Sequence, residues 1–168
     1  KIKKKEDLIK DFDHNYIILV NGRLDKLNLQ FEDKEKVKLE GINFLENCNY
    51  NDETNLSSLN KALSIGGFFL EIKKNYKCKK PIVIYNHFTS NLDEKIINNS
   101  NKIKLNNNSE LILIEYNICE KSKFLKNTFE YVDIESDAIL KNIIIQKNKS
   151  KGFFYKNIFG SQGYNSSY

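Results

Sequence analysis

The arrangement of apolar and polar positions repeats itself in the second half of the chain. Residues 103–111 run apolar, polar, apolar, three polar residues, small, one further residue of either kind and apolar, and residues 132–140 run in the same order 29 positions later. Repeats of about 20–50 residues are typical of stacked architectures, in which each unit buries its apolar face against its neighbours. Each copy alternates as an extended strand does, so the pattern predicts a β-solenoid in which Leu105 lies beside Ile134 and Leu111 beside Leu140.

Ahead of the repeats, the chain predicts a β-hairpin. Residues 15–20 are rich in β-branched and aromatic side chains, and Asn21-Gly22 is the strongest two-residue hairpin signal. Residues 23–29 should therefore return antiparallel to the first strand. Residues 37–39 predict a further short strand.

One short helix is predicted between the hairpin and the repeats, and residues 1–13 predict a second one or an ordered leader. Asn55 is the expected N-cap, and Gly66-Gly67 is expected to end the helix. The spacing i, i+3, i+7 predicts one apolar face formed by three leucines, Leu56, Leu59 and Leu63.

From residue 68 onward the pattern is strand-like, with predicted strands at 68–72, 82–85, 102–105, 111–116, 128–132, 138–146 and 153–158. Residues 82–85, 111–114 and 143–145 are apolar at every position, which indicates strands covered on both faces by other segments or by a partner. The predicted fold is mostly β: a right-handed parallel β-helix with a short N-terminal hairpin and one or two short helices. Residues 1–67 form the hairpin and helix region, and residues 68–168 form the first turns of the β-helix core.

Composition narrows the function classes. The chain has 168 residues, a net charge of +5 and 27 basic residues, of which only Arg23 is arginine. Acidic residues are interspersed with the lysines, which argues against the concentrated basic patch of a nucleic-acid-binding protein. No apolar run approaches the roughly 18 residues of a membrane-spanning helix. The chain has no methionine and stops within strand-like sequence, so we expect it to be a piece of a longer protein.

The cysteines and histidines do not predict a metal site. Cys48, Cys78 and Cys119 form no C-x-x-C pair, and an odd count without a secretory signal fits free thiols in a reducing compartment. His87 lies nine residues after Cys78 and could approach it on an adjacent strand; we interpret the two as unrelated. Cys119 is interpreted as a small buried apolar residue. His14 is the only other histidine.

The carboxylates do not predict an active site either. Glu115 interrupts an apolar run and could be catalytic, but we interpret it as a strand-end residue held by a turn hydrogen bond. Asp133, Glu135 and Asp137 alternate at a turn. The sequence contains no Ser/His/Asp set, P-loop or G-x-G-x-x-G motif, and Gly66-Gly67 follows a helix instead of preceding one. We therefore assign no catalytic, cofactor-binding or metal-binding residue, and we expect no enzymatic activity.

Seven segments of the chain follow one another in an order that is informative as a set: 17–23, with the hairpin Val-Asn-Gly; 59–63, with Leu-Asn-Lys-Ala-Leu; and 67–72, 81–85, 100–105, 109–115 and 138–146. This order resembles that of the SufD subunits of the Suf iron–sulfur cluster assembly scaffold. The related SufB subunits usually lack the opening hairpin and carry an EGCTAP-like motif after the Leu-Ile-Glu strand. Here Glu115 is followed by Tyr-Asn-Ile-Cys-Glu, so the chain is more similar to SufD.

The resemblance implies a scaffold that pairs with a SufB-type subunit and, through a C-terminal helical region, with a SufC-type ATPase. The iron–sulfur cluster would be built on the partner complex, with no cofactor in this chain. The functional cysteine and histidine positions of the family lie beyond Tyr168, so none is carried onto this sequence. The implied location is the cytoplasm, or an organelle such as a plastid.

Two other functions remain open from the residues. A carbohydrate-processing β-helix enzyme would need clustered carboxylates on one face, and a protein-only assembly module would need none. We also expect the chain to associate with itself or with a partner through backbone hydrogen bonds near residues 153–158.

Overall fold

The computed structural model describes residues 8–42, 54–119, 122–147 and 152–168, and it is mostly β, with a β-solenoid of about three turns, one helix and an N-terminal hairpin. The predicted fold class is therefore confirmed. The described strands are β1 (Asn15–Val20), β2 (Arg23–Asn28), β3 (Val37–Ile42), β4 (Gly67–Ile72), β5 (Ile82–Phe88), β6 (Lys95–Leu105), β7 (Glu110–Cys119), β8 (Phe124–Ile134), β9 (Ile139–Lys147) and β10 (Phe153–Gln162). The helix α1 spans Asn55–Leu63, and a 3₁₀ turn spans Ser90–Leu92.

The strands form two five-stranded sheets, and the chain passes from one to the other in each coil. The first sheet has the order β2-β1-β5-β7-β9, and the second has the order β10-β8-β6-β4-β3. Strands of successive coils pair in parallel, with Leu105 beside Ile134 and Leu111 beside Leu140. The register predicted from the repeat is confirmed. The prediction missed residues 95–101 of β6, where Ile96 and Ile97 are adjacent and residues 98–101 are all polar, so that the apolar residues do not alternate.

The corner between the two sheets is built from a stack of four left-handed turn residues. Asn75, Asn108, Asp137 and Asn165 have φ of 59°, 55°, 60° and 53°. Short amide and carboxylate side chains tolerate this conformation because they bond locally. Asn108 Nδ2 donates to Asn75 Oδ1 at 3.1 Å, and Asn165 Nδ2 donates to Asp137 Oδ1 at 2.9 Å. The turn therefore occurs in four copies, not in the two that the repeat predicted. The left-handed position, occupied by Asn or Asp, is the one that all four copies have in common.

The hairpin and β3 extend the two sheets at their first coil. β1 pairs antiparallel with β2 through Asn21 (φ 50°) and Gly22 (φ 84°), as predicted. β1 also pairs in parallel with β5, and β3 pairs antiparallel with β4. Residues 8–13 form neither helix nor strand. Residues 1–7 and Cys48 lie outside the described residues.

Helix α1 forms where predicted, but its cap and its buried face differ from the prediction. Thr54, not Asn55, is the N-cap, and its hydroxyl accepts a hydrogen bond from Ser57 N. The buried residues are Ser57 and Asn60, whereas Leu63 is 54 % exposed. The polar face is buried because it lies over strands whose outer positions are themselves polar.

Gly66 and Gly67 lie beyond the end of the helix, and Gly67 opens β4. It has φ of 154°, and a Cβ there would lie 1.7 Å from the carbonyl oxygen of Ser100. Only glycine allows this close approach to the next coil. The interpretation of the pair as a helix C-cap was therefore wrong.

The interior of the solenoid has two apolar clusters. The larger lies near the stacked corner and includes Leu70, Ile84, Ile103, Leu111 and Ile134. The smaller consists of Phe88, Leu92, Ile97 and Phe124. Between the two clusters the inward positions are polar or charged. None of the described helices is long and apolar enough to cross a membrane.

Candidate assembly surface and interior charged cluster

Among the described residues, four charged side chains lie inside the solenoid between the two apolar clusters. Along β7 the inward positions alternate with outward ones, so Glu115 follows Leu111 and Leu113 into the interior and is 3 % exposed. Lys126 and Glu130 occupy inward positions of β8, with 5 % and 0 % exposure. Lys156 enters from β10, where it lies beside Thr128 of β8.

Glu115, Glu130 and Lys156 form an ion triad that joins three strands. Lys156 Nζ lies 2.9 Å from Glu130 Oε1 and also bonds Glu115 Oε1. Asn101 Nδ2 donates to Glu130 Oε2 at 3.5 Å. Burial raises the pKa of Glu130, because a carboxylate loses hydration there. Burial also tends to lower the pKa of Lys156, but the two carboxylates outweigh that effect and raise it.

Lys126 has a different environment from Lys156. Its Nζ lies 3.4 Å from Asn117 Oδ1, 5.2 Å from the centre of the Phe88 ring and 6.0 Å from that of Phe154. Burial lowers the pKa of its amine. The aromatic faces offset part of the lost hydration, since a ring face attracts a cation.

The interpretation of Glu115 as a strand-end residue was wrong, and the interior positions of Lys126, Glu130 and Lys156 were not predicted from the sequence. Glu115 lies in the middle of β7, which extends to Cys119, and its partner is a lysine from the next sheet. One signal in the sequence could have revealed the inward position of Glu115. The alternation that buries Leu111 and Leu113 places position 115 on the same face.

The structure does not bring Cys78 and His87 into one site. Cys78 packs against the larger apolar cluster, and burial raises the pKa of its thiol to about 12. His87 is on the outward side of β5, beside Val20 and Ile118. Cys119 is partly buried against the smaller apolar cluster. Among the described residues, no three His, Cys, Asp or Glu side chains are grouped so that they could hold a metal ion.

His14 is fixed by a buried tyrosine. The Tyr85 hydroxyl accepts a hydrogen bond from Ile9 N at 3.0 Å and is hydrogen-bonded to His14 Nε2 at 2.8 Å. His14 Nδ1 donates to the Phe12 carbonyl at 2.9 Å. This contact holds residues 9–14 on the outer face of the first sheet.

The carboxylates at the turn bond the neighbouring coils. Asp133 accepts a hydrogen bond from Ser161 Oγ at 2.6 Å. Glu135 pairs with Lys104 at 3.2 Å and accepts from Asn107 N, and Asp137 accepts from Asn165. Each of these three carboxylates is therefore bonded to a residue of a neighbouring coil, and they do not form a pair directed at a common point, as a catalytic pair of carboxylates would.

The last described coil leaves an apolar surface open, which we call the candidate assembly surface and define by Ile144, Phe153, Ile158 and Tyr168. Their exposed fractions are 48 %, 74 %, 40 % and 51 %. β10 pairs with β8 on one side, and no described strand lies on its other side. A cavity of about 320 Å³ opens here, lined in part by Val132, Ile134 and Ile158.

Of the three strands predicted to be covered on both faces by the chain or by a partner, the described chain covers only one on both faces. Residues 82–85 of β5 are all buried. On β7, Ile112 is 40 % exposed, and on β9, Ile143 and Ile144 are each 48 % exposed. For β7 and β9 the described chain therefore does not supply the second cover that the continuous apolar runs predicted.

No protein-family model matches this sequence, and no curated protein matches it significantly.

Proposed function

We propose that this chain is a scaffold subunit of an iron–sulfur cluster assembly complex, of the SufD type, that pairs with a SufB-type subunit and a SufC-type ATPase. One observation carries the proposal: several residues on which the resemblance rests have structural roles in this fold. Asn60, from the Leu-Asn-Lys-Ala-Leu segment, is fully buried and donates to the carbonyls of Asn99 and Asn127. The segment that resembles the family's is thus the one that joins the helix to two coils of the solenoid.

Two glycines of the same motifs have conformations that depend on glycine. Gly22, from the Val-Asn-Gly hairpin, has φ of 84°, and Gly67, at the start of the next segment, has φ of 154°. Other residues adopt these conformations at a cost in free energy. The resemblance therefore includes positions at which the fold restricts the choice of residue, which supports it more than a match of interchangeable strand residues would.

The candidate assembly surface supports the assignment of a scaffold role. An unpaired strand edge recruits other strands, and an exposed apolar patch is typical of an interface. The carboxylates that a carbohydrate-processing enzyme would use are bonded between coils, so the geometry favours the scaffold over that alternative.

The test is co-expression of this chain with SufB-type and SufC-type subunits, followed by anaerobic affinity purification through the SufB-type subunit. We expect the chain to co-purify in a fixed ratio and the complex to hold iron and sulfide after reconstitution. Absence of the chain from the complex would overturn the proposal. Retention of the chain without any cluster in the complex would instead support a protein-only assembly module.

A matched pair of variants tests the surface. Ile158 and Ile112 are equally exposed, at 40 % each, but only Ile158 belongs to the candidate assembly surface. We expect Ile158→Asp to abolish co-purification and Ile112→Asp to retain it, with both variants showing the circular dichroism of the unmodified chain. Loss with Ile112→Asp alone would place the interface on the outer face of the first sheet.

A further inference from the structure

The ion triad of Glu115, Glu130 and Lys156 connects β10 to both sheets of the preceding coils. Glu115 comes from the first sheet, Glu130 from the neighbouring strand of the second, and Lys156 from β10 itself. The triad is therefore the charged contact through which β10 meets the interior.

The apolar pattern of β10 specifies its register only weakly. A slip of two residues keeps every side chain on its original face, since strand side chains alternate with a period of two. Phe154, Lys156 and Ile158 lie inward, beside Lys126, Thr128 and Glu130 respectively. A slip of two residues in either direction places Phe154 or Ile158 beside Thr128, and hydrophobic burial alone would tolerate both.

The charges oppose one of the two slipped registers, and aromatic contacts oppose the other. A slip in one direction would place Lys156 beside Lys126, with two buried ammonium groups together and two carboxylates unpaired. A slip in the other direction would move Phe154 away from Phe88 and Phe124, whose ring centres lie 5.6 and 5.5 Å from its own. A buried charge without a partner is strongly unfavourable, whereas a paired one contributes little net stability.

We propose that Glu115 and Glu130 form a socket for a strand that carries a lysine, and that Lys156 in this socket fixes the register in which β10 joins the solenoid. The triad determines specificity more than stability. It acts as a buried polar residue does when it selects the register of a coiled coil.

The experiment measures register by disulfide cross-linking in a chain whose natural cysteines are replaced by alanine. Tyr131 and Phe159 are neighbours in the observed register, so Tyr131→Cys with Phe159→Cys should cross-link. Tyr131→Cys with Asn157→Cys, or with Ser161→Cys, reports a slip of two residues. In the otherwise unmodified chain we expect cross-linking of the first pair only.

The informative variant makes the triad neutral, with Lys156→Met, Glu115→Gln and Glu130→Gln together. We expect cooperative unfolding to be retained, while cross-linking of Tyr131→Cys with Ser161→Cys, which reports the register that places residue 156 beside Lys126, rises at least tenfold. Lys156→Met alone leaves two buried carboxylates unpaired, so β10 amide hydrogen exchange should accelerate at least tenfold. The control is Lys123→Met, which removes an exposed ion pair with Glu94 and should change neither measurement.

Unchanged selectivity in the neutral variant would overturn the proposal and assign the register to Phe154 and to Gly160, where a Cβ would lie 1.7 Å from the Val132 carbonyl oxygen. If the neutral variant does not fold, Lys156→Arg decides the question. Arginine retains the positive charge, so the register selectivity should persist in this variant. Loss of the selectivity would contradict the proposal that charge fixes the register.

Discussion

At the scale of single residues, buried polar side chains hold separate parts of this chain together. Asn60 is the clearest example. Its amide donates to Asn99 O at 3.1 Å and to Asn127 O at 2.7 Å, and its oxygen accepts from Ser100 Oγ at 2.7 Å. One side chain thus satisfies two strand carbonyls beneath the helix.

Asn60→Ala should therefore destabilise the protein. Buried groups that lose their partners cost about 1–3 kcal/mol each, so we expect the free energy of unfolding to fall by about 2–4 kcal/mol in chemical denaturation. Ser58→Ala, at an exposed position of the same helix, is the control and should change it by less than about 0.5 kcal/mol. Equal effects of the two substitutions would show that these bonds do not anchor the helix.

Cys78 predicts a dependence of stability on pH. Burial raises the pKa of its thiol from 9.0 to about 12. The unfolded chain loses this proton near pH 9, whereas the folded chain retains it, so the stabilising contribution is complete below pH 9 and is lost as pH rises toward 12. The unfolding midpoint of the unmodified chain should fall more between pH 9 and 11 than that of Cys78→Val.

Alkylation supplies an independent check on Cys78. Because the thiolate is the reactive form, iodoacetamide should modify Cys78 in the folded chain at pH 8.5 far more slowly than in the denatured chain. Rapid modification of the folded chain at this residue would contradict the burial of the thiol.

Side-chain roles were harder to predict from the sequence than strand positions. Glu115 could be recognised as unusual within an apolar run, but its role depends on Lys156, which lies 41 residues away in sequence. Such a pairing follows from the number of residues in each coil and from the direction of each bend. Neither is determined by the alternation of apolar residues in a single strand.

At the scale of elements, a strand's two faces separate core positions from surface positions. Leu111 and Ile112 are adjacent on β7, but Leu111 is 2 % exposed and lies in the larger apolar cluster, whereas Ile112 is 40 % exposed. The alternation predicted most strands correctly. It did not predict the buried face of α1, because that face is held by hydrogen bonds of the Asn60 side-chain amide rather than by packing of leucines.

Leu111→Ala should reduce the free energy of unfolding by about 2–5 kcal/mol, through lost burial and the cavity left behind. Ile112→Ala removes side-chain bulk from the opposite face and should cost less than about 1 kcal/mol. Urea denaturation of both variants measures the difference. Similar losses would mean that β7 is covered on both sides in solution.

At the scale of the whole molecule, the coils end on an apolar surface, and the lysines are spread among acidic residues. Association through the candidate assembly surface should therefore depend on apolar contact and backbone hydrogen bonds rather than on long-range attraction between charges. Exposed charges are screened over about 10 Å at 0.1 M salt and about 3 Å at 1 M.

We expect sedimentation to show association of the chain, with itself or with its partner, that changes little between about 0.1 and 1 M salt. Ile158→Asp should weaken this association, since it places a charge on the apolar surface. A clean monomer that unfolds sharply and binds no apolar dye would contradict the prediction. Dissociation by salt would assign the interface to charged groups instead.

The spacing of paired strands has a consequence for how the protein folds. Within the solenoid, a residue bonds its counterpart in the next coil at a separation between 33 positions (Phe69 to Lys102) and 28 positions (Leu125 to Phe153). Loops of this length close at a modest entropic cost, and the cost does not grow as coils are added. Folding rate depends on how far apart contacting residues lie in the sequence. Each coil can therefore add to the one before it as the chain leaves the ribosome.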